Sequence, residues 1–283
     1  MQKYYKKYAA FFLVPLLVCF FIAFLIPFFM GVYFAFTKYK AIDNATFNGI
    51  DNFKIAFTNE YVETTFWSAF GRTALFAVVS IITINFNAFI LALLLTKGLK
   101  GSNAYRSIFF MPNLIGGIIL GYIWRILLNG VLGWFDQNLS TNPALYGFIG
   151  LVILMNWQQV GYMMIIYIAA LMNVPSDLNE SAEIDGATKL QTTLHVTIPM
   201  IVPSFTICTF LTLSNSFKLY DQNIALSDFS NKTNLLAADI VQTGRYFGSN
   251  LGPEQAKALV FFVIVAAISG LQVFLTRKKE VEA

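Results

Sequence analysis

Six long apolar runs, roughly residues 10–36, 68–95, 106–128, 147–172, 200–220 and 257–276, decide what this chain can become. A helix crosses the hydrocarbon core of a bilayer with about 20 apolar residues. Inside lipid the backbone must satisfy its own polar groups, which a helix does within itself. The runs therefore predict an all-α integral membrane protein, a six-span helical bundle forming one transmembrane domain over 1–283. Composition agrees, since 12% of residues are charged against about 25% in soluble domains. A formal charge of +4 is too small to suggest nucleic acid as a partner, and the basic residues do not cluster on an amphipathic helix. Cys19 and Cys208 both fall in predicted spans and are expected to be buried apolar thiols. The basic start followed by an apolar run to Phe36 is too long for a cleaved signal, so a retained first anchor is expected. Gly117 and Gly121 form a G-x-x-x-G that permits close helix contact.

Orientation follows from basic residues near the span ends. With the N-terminus inside, the inner segments hold ten: Lys3, Lys6, Lys7, Lys97, Lys100, Arg106, Lys189, Arg277, Lys278 and Lys279. The outer segments hold six: Lys38, Lys40, Lys54, Lys232, Arg245 and Lys257. This bias predicts both termini, and the loop at 174–199, on the cytoplasmic side. Of the outer segments, 37–67 contains GIDNFKIAF, expected as a short helix on the membrane surface. Segment 129–146 is turn-rich, with Trp134 and Phe135 expected at headgroup level. Segment 221–256 is polar and is expected to offer a contact surface to an external partner.

The loop VPSDLNESAEIDGATKLQTTLHVTIPMIVP, Val174 to Pro203, is a long polar segment between two apolar runs. Pro175 and Ser176 can start a helix, with Ser176 as the capping oxygen and acids in the first turn. Asp185-Gly186 reads as a stop and sharp turn, because glycine takes positive φ without a Cβ penalty. A second helix follows with Leu190, Leu194 and Ile198 in an apolar stripe. Pro199 and Pro203 mark a bend into the next apolar run. Two readings stand open: an ordinary loop between spans, or a knob that docks on a soluble protein.

Glu180-Ser181-Ala182, Asp185-Gly186-Ala187 and Ile198-Pro199 resemble the EAA loop of the membrane subunits of binding-protein-dependent ABC importers. Ser181 stands where the family has alanine, and Ile198 where leucine is commoner. GIDNF, LALLLTKGLKGSNAYRSIFFMPNLIGGIILGYIWRILLNGVLGWFDQ and NSFKLYDQ look like the carbohydrate-type permeases of that family, in particular the maltose-permease-like half. Arg72 departs from the asparagine usual before Thr73. The resemblance implies the importer-permease fold and a coupling role for Glu180, Ala182, Asp185, Gly186 and Ala187 against an ABC ATPase. It also implies a second homologous permease subunit (a heterodimer), an ATPase dimer that binds ATP and Mg, an extracytoplasmic solute-binding protein, a sugar substrate, and residence in a bacterial plasma membrane.

Polar groups within a span are costly and need a reason. The fourth run carries Asn156, Gln159 and Tyr162, and the fifth carries Asn215 and Lys218. Amides and aromatic rings hold sugar hydroxyls and faces with moderate strength, and the resemblance places a sugar path between these two spans. The same residues also suit hydrogen bonding between helices, and both roles stand open. Asn85 and Asn87 fit the second role better. Arg72 and Arg125 are expected to snorkel at span ends, and Lys218 and Asp221 lie close enough in sequence to pair. His195 is the sole histidine and no H-E-x-x-H occurs, so no metal or catalytic role is expected. No G-x-x-x-x-G-K-[ST] occurs either, so the chain lacks a Walker loop and needs no cofactor of its own. The competing expectations are an ABC permease for a non-sugar solute, and a stand-alone secondary transporter or channel. The first would want acids or cations well inside spans, and the second an inverted repeat or a proton-relay acid.

Overall fold

The computed structural model describes residue 11 and residues 13–41, 45–58, 66–227 and 233–277. Lys3, Lys6, Lys7, Lys232, Lys278 and Lys279, on which the expected orientation partly rests, lie outside the described residues. Among the described residues, four helices are long and apolar enough to cross a bilayer: Leu13–Ala35 (α1), Phe66–Thr96 (α3), Pro143–Met172, whose α-helical part is Phe148–Met172 (α6), and Gly252–Thr276, within Gly252–Arg277 (α12). Two bent pairs bring the total to six if each is one span.

The first pair is Ser102–Leu114, which starts with α4 (Ser102–Phe110), followed by Gly117–Gly133 (α5), at 100° to each other. A continuous span is expected over 106–128, and the structure interrupts it. Pro112 sits in a 3-10 turn at Met111–Leu114, and both Ile115 and Gly116 are extended, with ψ of 132° and 139°. Proline removes a backbone donor and ends the α-helix, while the side chains around it, Asn113 apart, stay apolar. The second pair is Lys189–Met200 (α8) and Val202–Phe217 (α9), at 71°. Here the bend falls at Ile201, between Pro199 and Pro203, where the prolines predict it.

The described chain divides into two compact units. One holds the residues up to Phe66 together with Ile240–Val263. In it, a two-stranded ribbon pairs Thr37–Lys38 with Thr46–Phe47, and GIDNF opens a helix at Asp51–Thr58 (α2). Asn52 on α2 is fully buried and donates to Ala35 O at 3.0 Å and Thr37 O at 2.7 Å. It thereby satisfies a carbonyl that the end of α1 leaves unpaired. Lys257 is also buried, with its ammonium donating to Thr243 Oγ1 at 2.9 Å. Cys19, expected to be buried, is exposed on α1, whose apolar side chains are almost all exposed as well. A long apolar run predicts a span but not the face that protein covers.

The other unit holds Trp67–Asp239 and the residues from Ile264 on. Its core joins α3, α5, α6 and α9 around Ile84, Leu120, Leu154, Met163, Tyr167 and Cys208. The G-x-x-x-G contact forms against a short helix, Asp221–Ser227 (α10): a Cβ on Gly121 would meet Ala225 Cβ at 2.7 Å and Gln222 O at 2.9 Å. Segment 221–256, expected as a polar contact surface, is largely helical, with α10 and Leu236–Tyr246 (α11). Thr233 to Leu236 are buried rather than displayed. Arg72 does not snorkel: its Nε donates to Asn234 O at 3.1 Å, which draws the guanidinium into the fold.

Candidate functional site

Two constellations follow from the sequence. The first is the hairpin. Its leading helix is Ser176–Ile184 (α7), and Pro175, extended at ψ 132°, holds the cap position. Ser176 therefore does not cap; it is the first helical residue, and its hydroxyl donates to Asp177 Oδ1 at 3.2 Å. The turn closes with Ala187 N donating to Ala182 O at 2.9 Å and Gly186 N donating to Glu183 O at 3.1 Å. That pair of bonds is a Schellman stop, and Gly186 holds its left-handed position with φ +84°. Thr188 then starts α8 with a capping box: its Oγ1 accepts from Gln191 N at 3.4 Å, and Gln191 Oε1 accepts from Thr188 N at 2.8 Å. The T-x-x-Q spacing carries that signal in the sequence. Thr197 Oγ1 donates to Asn179 Oδ1 at 3.4 Å and ties the arms together.

Glu180, Asp185 and Gly186 are exposed on this hairpin, and Ala182 and Ala187 are half-buried. Beside them Ile184 is 86% exposed, Leu190 68% and Leu194 49%, so the apolar stripe of α8 faces away from the chain's own core. Charged residues surround these exposed aliphatics, on a hairpin fixed by hydrogen bonds.

The second constellation lies where α6 meets α9 and α10. Asn215 Nδ2 donates to Gln159 Oε1 at 3.0 Å, bringing two of the expected path residues together. Gln222 Nε2 donates to Gln158 Oε1 at 2.9 Å, and Gln158 Nε2 donates to Ile115 O at 3.4 Å, a carbonyl freed by the break between α4 and α5. Asn156 turns to α3 instead: its Nδ2 donates to Thr83 Oγ1 at 2.8 Å, and its Oδ1 accepts from Asn87 Nδ2 at 3.2 Å. Tyr162 packs half-buried against the core, and Lys218 is exposed at the end of α9. No ion pair joins Lys218 to Asp221. Deeper, Tyr167 Oη donates to Asn85 Oδ1 at 2.8 Å and Asn85 Nδ2 donates to Thr212 Oγ1 at 3.4 Å, a link between helices. Of the five expected path residues, then, Gln159 and Asn215 meet, while Asn156, Tyr162 and Lys218 lie elsewhere. Gln158 and Gln222 belong to the cluster and were not singled out, although Gln158 sits in the same polar NWQQ patch. Side-chain amides both donate and accept without net charge. The cluster's internal bonds join α6 to α9 and α10.

Comparison with known proteins agrees with this architecture. The family model described as "Binding-protein-dependent transport system inner membrane component" matches residues 72–281. The chain is 41% identical over 282 residues to a probable starch degradation products transport system permease protein, AmyD, of Thermoanaerobacterium thermosulfurigenes, covering 96% of this chain and 94% of the relative. It is 28% identical to the multiple sugar-binding transport system permease protein MsmF of Streptococcus mutans, over 99% of both chains. Among solved structures, a chain of a bacterial ABC transporter involved in import of the acidic polysaccharide alginate superposes with a TM-score of 0.77 at 20% identity, covering 98% of this chain and 99% of that one. With the family model spanning most of the sequence and a relative above 40% identity along nearly its whole length, the chain belongs to the binding-protein-dependent transport system inner membrane components, the permeases of ABC importers.

Proposed function

We propose that this permease imports an oligosaccharide, with short α-linked glucans of the kind released from starch as the first candidates. The carrying observation is the part-buried amide pair Gln159–Asn215 in a chain similar to a starch-product permease. In this reading the chain sits in a bacterial plasma membrane with both termini in the cytoplasm. It pairs with a second, unlike permease subunit and offers the Glu180–Ala187 hairpin to an ABC ATPase dimer that binds ATP and Mg. An external binding protein delivers the sugar. Closure of the ATPase dimer moves the hairpins as rigid bodies and opens the path outward; hydrolysis resets it. Each ligand shifts the equilibrium only by its differential affinity for the two states.

The amide pair explains how a sugar is held and released. In this conformation Gln159 and Asn215 spend their hydrogen bonds on each other. A sugar hydroxyl that replaces one amide exchanges bonds of similar strength, so the site does not trap its cargo. Gln159→Leu keeps the bulk and removes the polar end. It is expected to lower uptake about tenfold, the order of one buried hydrogen bond, by raising the half-saturating sugar concentration while membrane abundance holds. If Gln159 only joins helices, thermal stability falls instead and the half-saturating concentration stays put.

The reading is tested by purifying the tagged chain and measuring uptake of radiolabelled malto-oligosaccharides of increasing length. Copurification of an ATPase and ATP-dependent uptake of at least one glucan support it. A chain that purifies alone, or cells whose glucan uptake survives its deletion, overturn it.

A further inference from the structure

Two consecutive side chains on α10 bond to different parts of the fold. Asn223 is fully buried and spends both ends of its amide on one backbone segment: Nδ2 donates to Thr233 O at 3.0 Å, and Oδ1 accepts from Leu235 N at 3.0 Å. This is how a strand residue pairs with its neighbour, and it fixes the segment's register. From α3, Thr73 Oγ1 accepts from Leu236 N at 2.8 Å, so the segment is fastened to two helices. Gln222, the residue before Asn223, reaches Gln158, which in turn reaches Ile115 O at the break in the span. Room for that amide comes from Gly117, where a Cβ would lie 2.8 Å from Gln222 Cδ. Gly121 lets α10 lie close on α5, with Ala225 Cβ and Gln222 O where a Cβ would crowd them.

We propose that Asn223 is a positioning residue and Gln222 its effector. Through α10, Asn223 ties the segment Thr233–Leu236 to the Gln158–Gln222 bond. A shift of that segment when an external partner docks is thereby delivered to the broken span and to the neighbouring Gln159–Asn215 pair. The proposal rests on the function above, whose orientation puts this segment on the external side. The segment's burial fits a fastening rather than the contact itself, since a buried segment moves only with the chain on either side of it. The physical basis is that α10 is short and internally bonded, so a pull at Asn223 turns the whole helix and Gln222 with it.

The test uses the complete complex in proteoliposomes, with its external binding protein loaded with labelled malto-oligosaccharide. Asn223→Asp is nearly isosteric, loses the donor to Thr233 O and sets a carboxylate against that carbonyl; Gln222→Leu loses only the amide. Each is expected to lower maximal uptake about tenfold, the order of one buried hydrogen bond, while the half-saturating concentration of loaded binding protein stays unchanged. The double variant is expected to fall no further than either single one, because both cut one chain of contacts. A double variant lowered by the product of the two effects, about a hundredfold for independent sites, overturns the proposal, as does wild-type uptake in either single variant. If Asn223→Asp does not assemble, Gly117→Ala takes its place by crowding the Gln222 amide. It must lower maximal uptake alone and add nothing to Gln222→Leu; otherwise the proposal fails. A wild-type complex that transports no glucan sinks the functional reading, whereas a transporting complex with additive variants sinks this inference alone.

Discussion

Gly161→Val is expected to remove most of the folded protein from the membrane. Gly161 lies on α6 against the backbone of α4: a Cβ there would stand 1.8 Å from Phe109 O, 2.3 Å from Phe109 C and 2.8 Å from Phe110 N. These are backbone atoms at the end of a helix, so no rotamer change relieves the clash. The helices would have to separate just ahead of the break at Ile115, and the bond from Gln158 to Ile115 O would go with it. Overpacking of a core costs about 1–3 kcal/mol where side chains can yield, and this site belongs at or above the upper end. Abundance in membrane fractions and the melting temperature of the purified protein check it. Gly161→Ala should show the same direction at smaller size. Wild-type abundance and melting temperature for the valine variant would mean that α4 and α6 do not meet as described.

Gly186→Val is expected to do the opposite: leave the protein in the membrane and abolish coupled transport. A Cβ at Gly186 meets nothing within 4 Å, so packing does not forbid it. The backbone does, because φ is +84° and the left-handed region costs a β-branched residue about 1–2 kcal/mol. That strain falls on the bond from Ala187 N to Ala182 O and re-aims the exposed hairpin without loosening the spans. ATP hydrolysis by the complex should persist while uptake falls about tenfold or more, the equivalent of such a strain. Gly186→Asn, which tolerates positive φ, should keep much of the uptake. Loss of the valine variant from the membrane, or its normal uptake, would show that the turn does not carry the coupling.

What the sequence made legible has a physical pattern. Span existence comes from run length, which depends on the chain alone; among the described residues four of the six apolar runs become long helices and the other two fall in bent pairs. The turn at Gly186 and the bend between Pro199 and Pro203 are local chemistry, and both are where the residues predict them. The break at Ile115–Gly116 is masked by the apolar residues on either side of it; Pro112, Asn113 and the Gly116-Gly117 pair are its local signs. Segment Thr233–Leu236 reads as polar loop because its partners, Asn223 and Thr73, lie on separate helices. The capping box at Thr188 is legible in its T-x-x-Q spacing, whereas Pro175 occupies the cap position expected of Ser176. In the candidate path, residue type points to α6 and α9, which the bond from Asn215 to Gln159 joins. Choosing among Asn156, Gln158 and Gln159 requires knowing which way each face of α6 points, and a period of 3.6 residues sets neighbouring side chains about 100° apart. So Asn156 faces α3 while Gln159 meets Asn215.

The central claim is that the hairpin around Gly186 touches an ATPase inside the cell. Ala187→Cys, in a chain carrying Cys19→Ser and Cys208→Ser, puts a single thiol beside the turn. A short bifunctional crosslinker applied to membranes of the assembled complex is predicted to join that thiol to the ATPase, and an impermeant maleimide added to intact cells is predicted to leave it unlabelled. Labelling from outside, or no crosslink while the ATPase is bound, would contradict the account.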